Sequence, residues 1–351
     1  MSLAGRWLDG VYRERLTQAP WLLPLLPLSA LYGAVARRRA RAYRTGKKSV
    51  WRAPVPVIVV GNITLGGTGK SPLVAWLAAF LARHGYTPGI VTRGYGGRAP
   101  AYPLIVDETT PVEHSGDEPL MLFRQTGARV AVDPNRPRGA RALIERGCDI
   151  LISDDGLQHL ALGRDIELLV IDGARGLGNR RCLPAGPLRE PAGRLESVDA
   201  VIVNGALTRP LSVEPVTMTL APARWQRVGS GEHAALTPLP FEPPVHAVAG
   251  IGNPARFFKT LDALGVEGER HAFADHHAFD AKALAFTPPR PLVMTAKDAV
   301  KCRTLAPNES WALEVEAELP ESFGAWLIDA LATRAPNESL STNTYEEGAH
   351  G

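Results

Sequence analysis

PVPVIVVGNITLGGTGKSPLVAWLAAFL, residues Pro54 to Leu81, joins three signals in order. A β-branched apolar run to Val60 reads as a buried strand. A glycine-rich turn follows. Leu73, Val74, Trp76, Leu77, Phe80 and Leu81 then recur at the spacing of one helical face. Strand, glycine turn and helix together form a phosphate-binding loop, in which backbone N–H groups converge on a polyphosphate and the helix N-terminus adds its dipole. The loop runs through Thr64, Leu65, Gly66, Gly67, Thr68, Gly69, Lys70 and Ser71. Lys70 is placed to neutralise the β- and γ-phosphates and Ser71 to ligate Mg²⁺. The usual spacing asks for glycine at 64, where this chain has threonine. Leu65 stands where dimerising switch ATPases carry a second lysine, which weighs against the alternative of a regulatory or metallochaperone-type NTPase.

Outward from the loop, strand-like runs at 89–92, 128–132, 149–153, 167–171 and 199–204 alternate with helical stretches such as 136–147. That alternation predicts an α/β fold, a P-loop NTPase-like, mostly parallel sheet with helices on both faces. The expected kinase domain covers 53–205. From 206 to 244 the pattern weakens into short strands among prolines, and a smaller C-terminal α/β domain is expected over 206–333. Its elements are strands at 245–249, 291–295 and 311–315, and helices at 254–264 and 321–332. Residues 334–351 are polar and read as a disordered tail.

Acidic residues gather where such a sheet binds ligands. The apolar run ending at Ser153 delivers Asp154 and Asp155 to the carboxyl edge, a place for Mg²⁺, although a turn acid capping the next segment fits too. Asp117 in SGDEP opens a helix expected over 119–125, so catalytic base and helix cap are both open. Asp275-His276-His277 admits a metal reading or a His–carboxylate pair; His276 could polarise Asp117 if two domains close on each other.

Composition bounds the rest. The 351 residues are 45% hydrophobic and 21% charged, an ordinary globular mix. Cys148, Cys182 and Cys302 form no C-x-x-C pair, which excludes a disulfide framework or cysteine zinc site. Residues 1–52 hold eleven Lys/Arg against Asp9 and Glu14, leaving 28 Lys/Arg against 34 Asp/Glu elsewhere. Within them, the apolar stretch 19–36 is broken by Pro20, Pro24 and Pro27, and Leu28, Leu31, Tyr32 and Val35 share a helical face ahead of a run from Arg37 to Lys48. This is the pattern of a helical anchor lying in a membrane surface, peripheral or monotopic. A helix buried on the protein's own core is the competing reading. Nucleic acid is not expected as a partner, because interleaved aromatics are missing.

The quoted stretch is accompanied by VTRGYGG (91–97), SGDEP (115–119), SDDGLQH (153–159), VIDGARGLGN (170–179), LPAGPLREP (183–191), AGIGNPARFF (249–258), ADHH (274–277) and TAKDAVKC (295–302). In these strings and their order the chain resembles the tetraacyldisaccharide 4′-kinase (lipid A 4′-kinase) family over nearly its whole length. The resemblance implies transfer of the ATP γ-phosphoryl group to the 4′-hydroxyl of a tetraacylated glucosamine disaccharide 1-phosphate, with Mg²⁺, at the cytoplasmic face of the inner membrane. It implies no obligate protein partner. Carried over residue by residue, it makes Asp117 with His276 the catalytic pair, 64–71 the nucleotide loop and Asp154 and Asp155 metal residues. It also places Arg93 to meet phosphate charge or substrate, and Arg189 and Glu190 near the nucleotide. Two positions depart from the family pattern: Ser71 for the usual threonine, and Ala296 for the acid of T-E-K-D.

Overall fold

The computed structural model describes Trp7, residues 10–12 and residues 19–334. The expected tail and part of the basic N-terminus lie outside these residues. A short 3-10 helix, Pro20–Leu25, leads into α1 (Leu26–Arg44). The first lobe follows: β1 (Val57–Gly61), α2 (Lys70–Arg83), β2 (Pro88–Thr92), β3 (Leu104–Ile105), α3 (Val112–Ser115), α4 (Asp117–Thr126), β4 (Arg129–Val132), α5 (Arg136–Ile144), β5 (Ile150–Ser153), β6 (Ile166–Asp172) and β7 (Ala200–Asn204), after which β8 (Val216–Arg227) is shared with the second lobe. Then come β9 (His233–Ala234), β10 (Val245–Ala249), α6 (Pro254–Ala263), β11 (Gly268–Ala272), β12 (Leu292–Thr295), α7 (Ala296–Cys302), β13 (Ser310–Glu318) and α8 (Glu321–Arg334).

One sheet runs through both lobes in the order β11-β10-β12-β13-β8-β7-β6-β1-β5-β2-β4-β3. The strands from β4 to β8 pair in parallel, and β1 lies between β5 and β6, so the loop leaving β1 opens at the carboxyl edge beside the end of β5. Every residue of β1, β2, β5 and β10 is buried, as strands covered on both faces require.

Strand β8 differs from the expected short strands. It is a single strand of 12 residues, parallel to β7 over its first part and antiparallel to β13 over the rest. Pro222 is accommodated beside a bulge: the ladder with β13 shifts register between Glu314 and Val315 and leaves Ala223 opposite no residue. β11 (GERHA) was absent from the sequence reading; its charged residues belong to an exposed edge strand, which has no apolar alternation to reveal it.

Helix α2 carries the first core. Leu73, Val74, Leu77 and Leu81 are fully buried with Ile58 and Val60 of β1, each such side chain stabilising by about 1.5–3 kcal/mol. Closing this core is α8: Phe323, Leu327 and Leu331 pack in it, with the Phe323 ring 5.7 Å from Trp76. The final helix among the described residues therefore packs on the P-loop helix, not on the second lobe's own core around Trp225, Phe241, Val293 and Trp311.

Helix α1 presents its apolar face outward. Leu28, Leu31, Tyr32 and Val35 are exposed, Leu31 by 62% and Val35 by 59%, together with Trp21 and Leu23. Its docked side is made of small residues one turn apart: Ser29 Oγ donates to the Cys182 carbonyl (2.6 Å), and Gly33 faces Cys182. No helix among the described residues is long and apolar enough to cross a membrane.

If α8 completes the P-loop lobe, Phe323→Ala should destabilise that lobe by about 3 kcal/mol, as large core truncations do. Denaturation followed by tryptophan fluorescence would show it as a lowered midpoint; an unchanged midpoint would contradict this packing role.

Candidate active site

The loop between β1 and α2 is held open by its neighbours. Asn62 Nδ2 donates to the Gly66 carbonyl and to Thr68 Oγ1, both at 3.3 Å, and Asn204 at the end of β7 donates to the Thr68 carbonyl (3.1 Å). Gly69 has φ +94°, and a Cβ there would lie 2.3 Å from Asn204 Nδ2, so conformation and close approach both require glycine. Thr64 needs no such freedom: it is buried in an extended bridge with Leu188, and Leu65 N–H donates to the Pro187 carbonyl (3.0 Å). The LPAGPLREP segment thus straps the start of the loop, which accounts for threonine at the position where glycine is usual. Arg175 crosses the loop to the Gly67 carbonyl, and the Tyr12 hydroxyl meets the Leu65 carbonyl.

Behind the loop lie the two acids that follow β5. Asp154 is 1% exposed; Thr92 Oγ1 donates to its Oδ2 (3.1 Å) while Oδ1 has no partner. Burial, reinforced by the nearby Glu118 charge, pushes its carboxyl up to about 6. Asp155, partly exposed at φ +46°, is gripped by Arg189 through both oxygens (2.9 and 3.2 Å) and lies 3.6 Å from Lys70 Nζ. Burial opposes ionisation there, yet Lys70 and Arg189 win and hold its carboxyl below the ordinary range. Arg136, buried behind them, donates to the Asp154 carbonyl (2.6 Å); burial lowers it to about 10, still charged near neutrality. Ser71 occupies the second position of α2.

The third part of the site spans the lobes. Asp117, 5% exposed, is the first residue of α4. Its Oδ1 accepts from the Glu118 N–H (2.9 Å), and its Oδ2 lies 3.0 Å from His276 Nδ1 in the loop after β11. Terminal hydrogen bonding and pairing with histidine are thus served by different oxygens of one carboxylate. Gly116, at φ +86°, has no room for a side chain because a Cβ would meet the Tyr95 carbonyl at 2.6 Å; SGDEP and TRGYGG pack backbone on backbone. His276 is itself left-handed (φ +59°). Its Nε2 is 3.3 Å from Lys297 Nζ. An ammonium can only donate, so Nε2 accepts and Nδ1 carries the proton toward Asp117. Lys297 also meets Glu118 (3.1 Å) and Asp275 (3.6 Å). The hydrogen bond from His276 and the Lys297 charge overcome burial and keep the Asp117 carboxyl below its ordinary range; the same bond raises His276.

The second lobe reaches the phosphate loop directly. A Cβ on Gly252 would lie 3.4 Å from the Gly67 N–H nitrogen, and the Gly250 N–H donates to Asp298 Oδ2 (2.9 Å), which also accepts from Thr295 Oγ1 (2.7 Å). Asp298 of TAKD thereby anchors the loop that faces the P-loop, while Ala296 merely starts α7.

Arg93 follows β2, exposed at the same edge, its charge felt by Arg136 and His159. Glu190 accepts from Gln158 Nε2 (2.6 Å), which also donates to the Asn62 carbonyl (3.1 Å), and pairs with Arg194 (3.3 Å). His277 turns away from its neighbour into the rings of Phe273 and Phe279 at 4.7 and 4.9 Å, so the adjacent histidines form no metal cluster among the described residues. Sequence reasoning missed Lys297, Glu118, Arg175 and Asn204. All sit in the quoted strings or at a strand's carboxyl end, but only the fold shows that they converge.

Comparison with known proteins places the chain among its relatives. The profile of the family described as Tetraacyldisaccharide-1-P 4'-kinase matches residues 21–332. The tetraacyldisaccharide 4′-kinase of Azotobacter vinelandii is 49% identical over 333 residues, covering 95% of this chain and 98% of that protein. That of Pseudomonas putida is 49% identical over 332 residues, covering 94% and 98%. Among solved structures, LpxK from Aquifex aeolicus in complex with ATP superposes with a TM-score of 0.74 at 27% identity, covering 89% of this chain and 99% of that one.

The His276 pairing sets a pH expectation. A raised folded pKa means its stabilising share is complete below the unfolded value of about 6.5 and is lost as pH rises through the higher folded value. Histidine NMR titration should find one ring titrating above the ordinary range and returning toward it in Asp117→Asn; an unshifted ring in both proteins would contradict the pair.

Proposed function

The chain belongs to the tetraacyldisaccharide-1-P 4′-kinase family, and on that premise we propose how its residues perform the transfer. It is a phosphotransferase with an alcohol acceptor and ATP as donor, acting in lipid A biosynthesis on the 4′-hydroxyl of a tetraacylated glucosamine disaccharide 1-phosphate. Residues 64–71 cradle the triphosphate, with Lys70 leaving Asp155 for the β- and γ-phosphates. Asp117 faces the acceptor: as the 4′-oxygen bonds to the γ-phosphorus and the bond to the β-phosphate oxygen breaks, the hydroxyl proton passes to the carboxylate. His276, held by Lys297, keeps that carboxylate ionised and aimed.

Mg²⁺ fits the donor set beside the loop. The buried, unpartnered Asp154 Oδ1 calls for a cation, and Asp155 and the Ser71 hydroxyl add the hard oxygen ligands that magnesium takes. These three residues would hold the ion, which supplies charge neutralisation at the β- and γ-phosphates. Arg93 and Glu190, at the same edge, are proposed to contact substrate or orient the nucleotide loop.

The lipid explains α1. Each acyl CH₂ leaving the bilayer costs about 0.8 kcal/mol, so the enzyme goes to its substrate. The outward face of Leu28, Leu31, Tyr32 and Val35 and the arginines after it suit the anionic cytoplasmic face of the inner membrane, held peripherally. On the proposed division, 1–52 is the membrane-surface segment, 53–205 carries the phosphate site and 206–333 carries His276. The tie from Ser29 to Cys182 connects the first of these to the strap over the P-loop.

The observation that carries this reading is the 3.0 Å contact of Asp117 and His276 across the cleft facing the P-loop. With Mg-ATP and the acylated disaccharide, Asp117→Asn should lower transfer by about 10²–10⁴ while retaining ATP binding, the range typical of a lost general base. Lys70→Ala should lose ATP affinity as well. Full transfer by Asp117→Asn would remove it from the mechanism. Separately, Leu31→Glu with Val35→Glu should abolish co-sedimentation with anionic phospholipid vesicles without loss of ATP binding; undiminished sedimentation would contradict the anchor.

A further inference from the structure

A second cluster of ligating side chains lies in the smaller lobe. β10 and β11 run in parallel with His246 opposite Glu269 and Val248 opposite His271. Side chains alternate along a strand, so Glu269 and His271, two apart, share a face, and His246 joins them from the neighbouring strand. Their ligand atoms all lie within 4.8 Å of one another. From this arrangement we propose a metal site, formed by His246, Glu269 and His271, that takes a late first-row divalent ion of the Zn²⁺ class.

Geometry and protonation agree on it. His246 Nδ1 is 3.1 Å from His271 Nε2 and 3.4 Å from Glu269 Oε2, and Glu269 Oε2 is 3.9 Å from His271 Nε2. A tetrahedral ion with bonds of about 2.0–2.2 Å has ligand edges of about 3.3–3.6 Å, which these three distances bracket. His246 is buried, and its Nε2 lies 2.9 Å from the Pro288 carbonyl. A carbonyl only accepts, so Nε2 holds the proton and the Nδ1 lone pair is turned into the cluster, the arrangement by which a backbone carbonyl orients a metal-binding histidine. One proton shared between the imidazoles satisfies a single edge of the triangle; a cation satisfies all three.

The rings are also fixed in advance. His271 stacks on Phe286 with centroids 3.9 Å apart, and His246 packs on the same ring at 4.8 Å. Two imidazoles and one carboxylate suit zinc and its neighbours better than magnesium or calcium, which take oxygen ligands. Glu269 is exposed, so a fourth position stays open to solvent. Bound there, the ion would clip the edge strand β11 and β10 together beneath the Phe286–Pro288 turn, away from the residues that carry the transfer.

The full chain, stripped with chelator, is titrated with Co²⁺ under visible absorption and then back-titrated with Zn²⁺. The wild type should gain the d–d bands of four- or five-coordinate cobalt and lose them to zinc. His271→Gln and Glu269→Gln should each weaken the uptake behind those bands at least about tenfold, since even changes outside the ligand set cost that much. Mg-ATP-dependent transfer should be unchanged in both variants. Glu269→Gln alters an exposed side chain, so it decides the matter if His271→Gln folds poorly. No bands in the wild type, or bands of equal strength and midpoint in the variants, would overturn the site.

Discussion

A carboxylate buried as deeply as Asp117 is costly unless another group answers it, and the group that answers here belongs to the other half of the protein. Much of the site's architecture can be traced to that requirement. Gly116 lets the backbone carry the carboxylate into the cleft against Tyr95. His276 adopts a left-handed backbone to reach it from above, and Lys297 fixes the far side of the imidazole so that only one tautomer serves. Lys297 in turn answers Glu118 and Asp275. The contact between the lobes, the tautomer of His276 and the ionisation of Asp117 are thus set by one small group of side chains.

The frame that holds the two halves to this tolerance is the shared sheet. β8 belongs to both lobes, parallel to one neighbour and antiparallel to the other, so the lobes are joined by main-chain hydrogen bonds and not by a linker alone. The last helix among the described residues, α8, returns to pack on α2, which ties it to the helix that follows the glycine-rich loop. At the opposite end, α1 docks through small residues on the strap over the P-loop and leaves its large apolar residues outward. The exposed apolar face of α1 and the glycine-rich loop are therefore linked through a few residues around Cys182.

Much of this was legible in the sequence where a local signal coincided with a physical need. The P-loop was readable because strand, glycines, lysine and helix agree, and its departure at Thr64 became intelligible only when the strap from Pro187 to Arg189 appeared beside it. The face of α1 was readable from spacing, but whether it pointed inward or outward was a tertiary fact. β8 was misread because prolines usually end strands and its bulge is fixed by a partner 90 residues away. Lys297 and Asn204 carried no private signal: a lysine in a helix and an asparagine ending a strand are ordinary until the fold sets them against His276 and Thr68.

The central claim is that Asp117 and His276 act as one unit across the cleft. A double-mutant cycle of Asp117→Asn and His276→Ala on kcat/KM for phosphoryl transfer tests it most directly. If the account holds, the double variant is no worse than the more damaged single variant, to within about twofold, the usual error of such additivity comparisons. Losses that multiply would mean that the two residues serve the reaction independently, and the contact between the lobes would lose the role assigned to it.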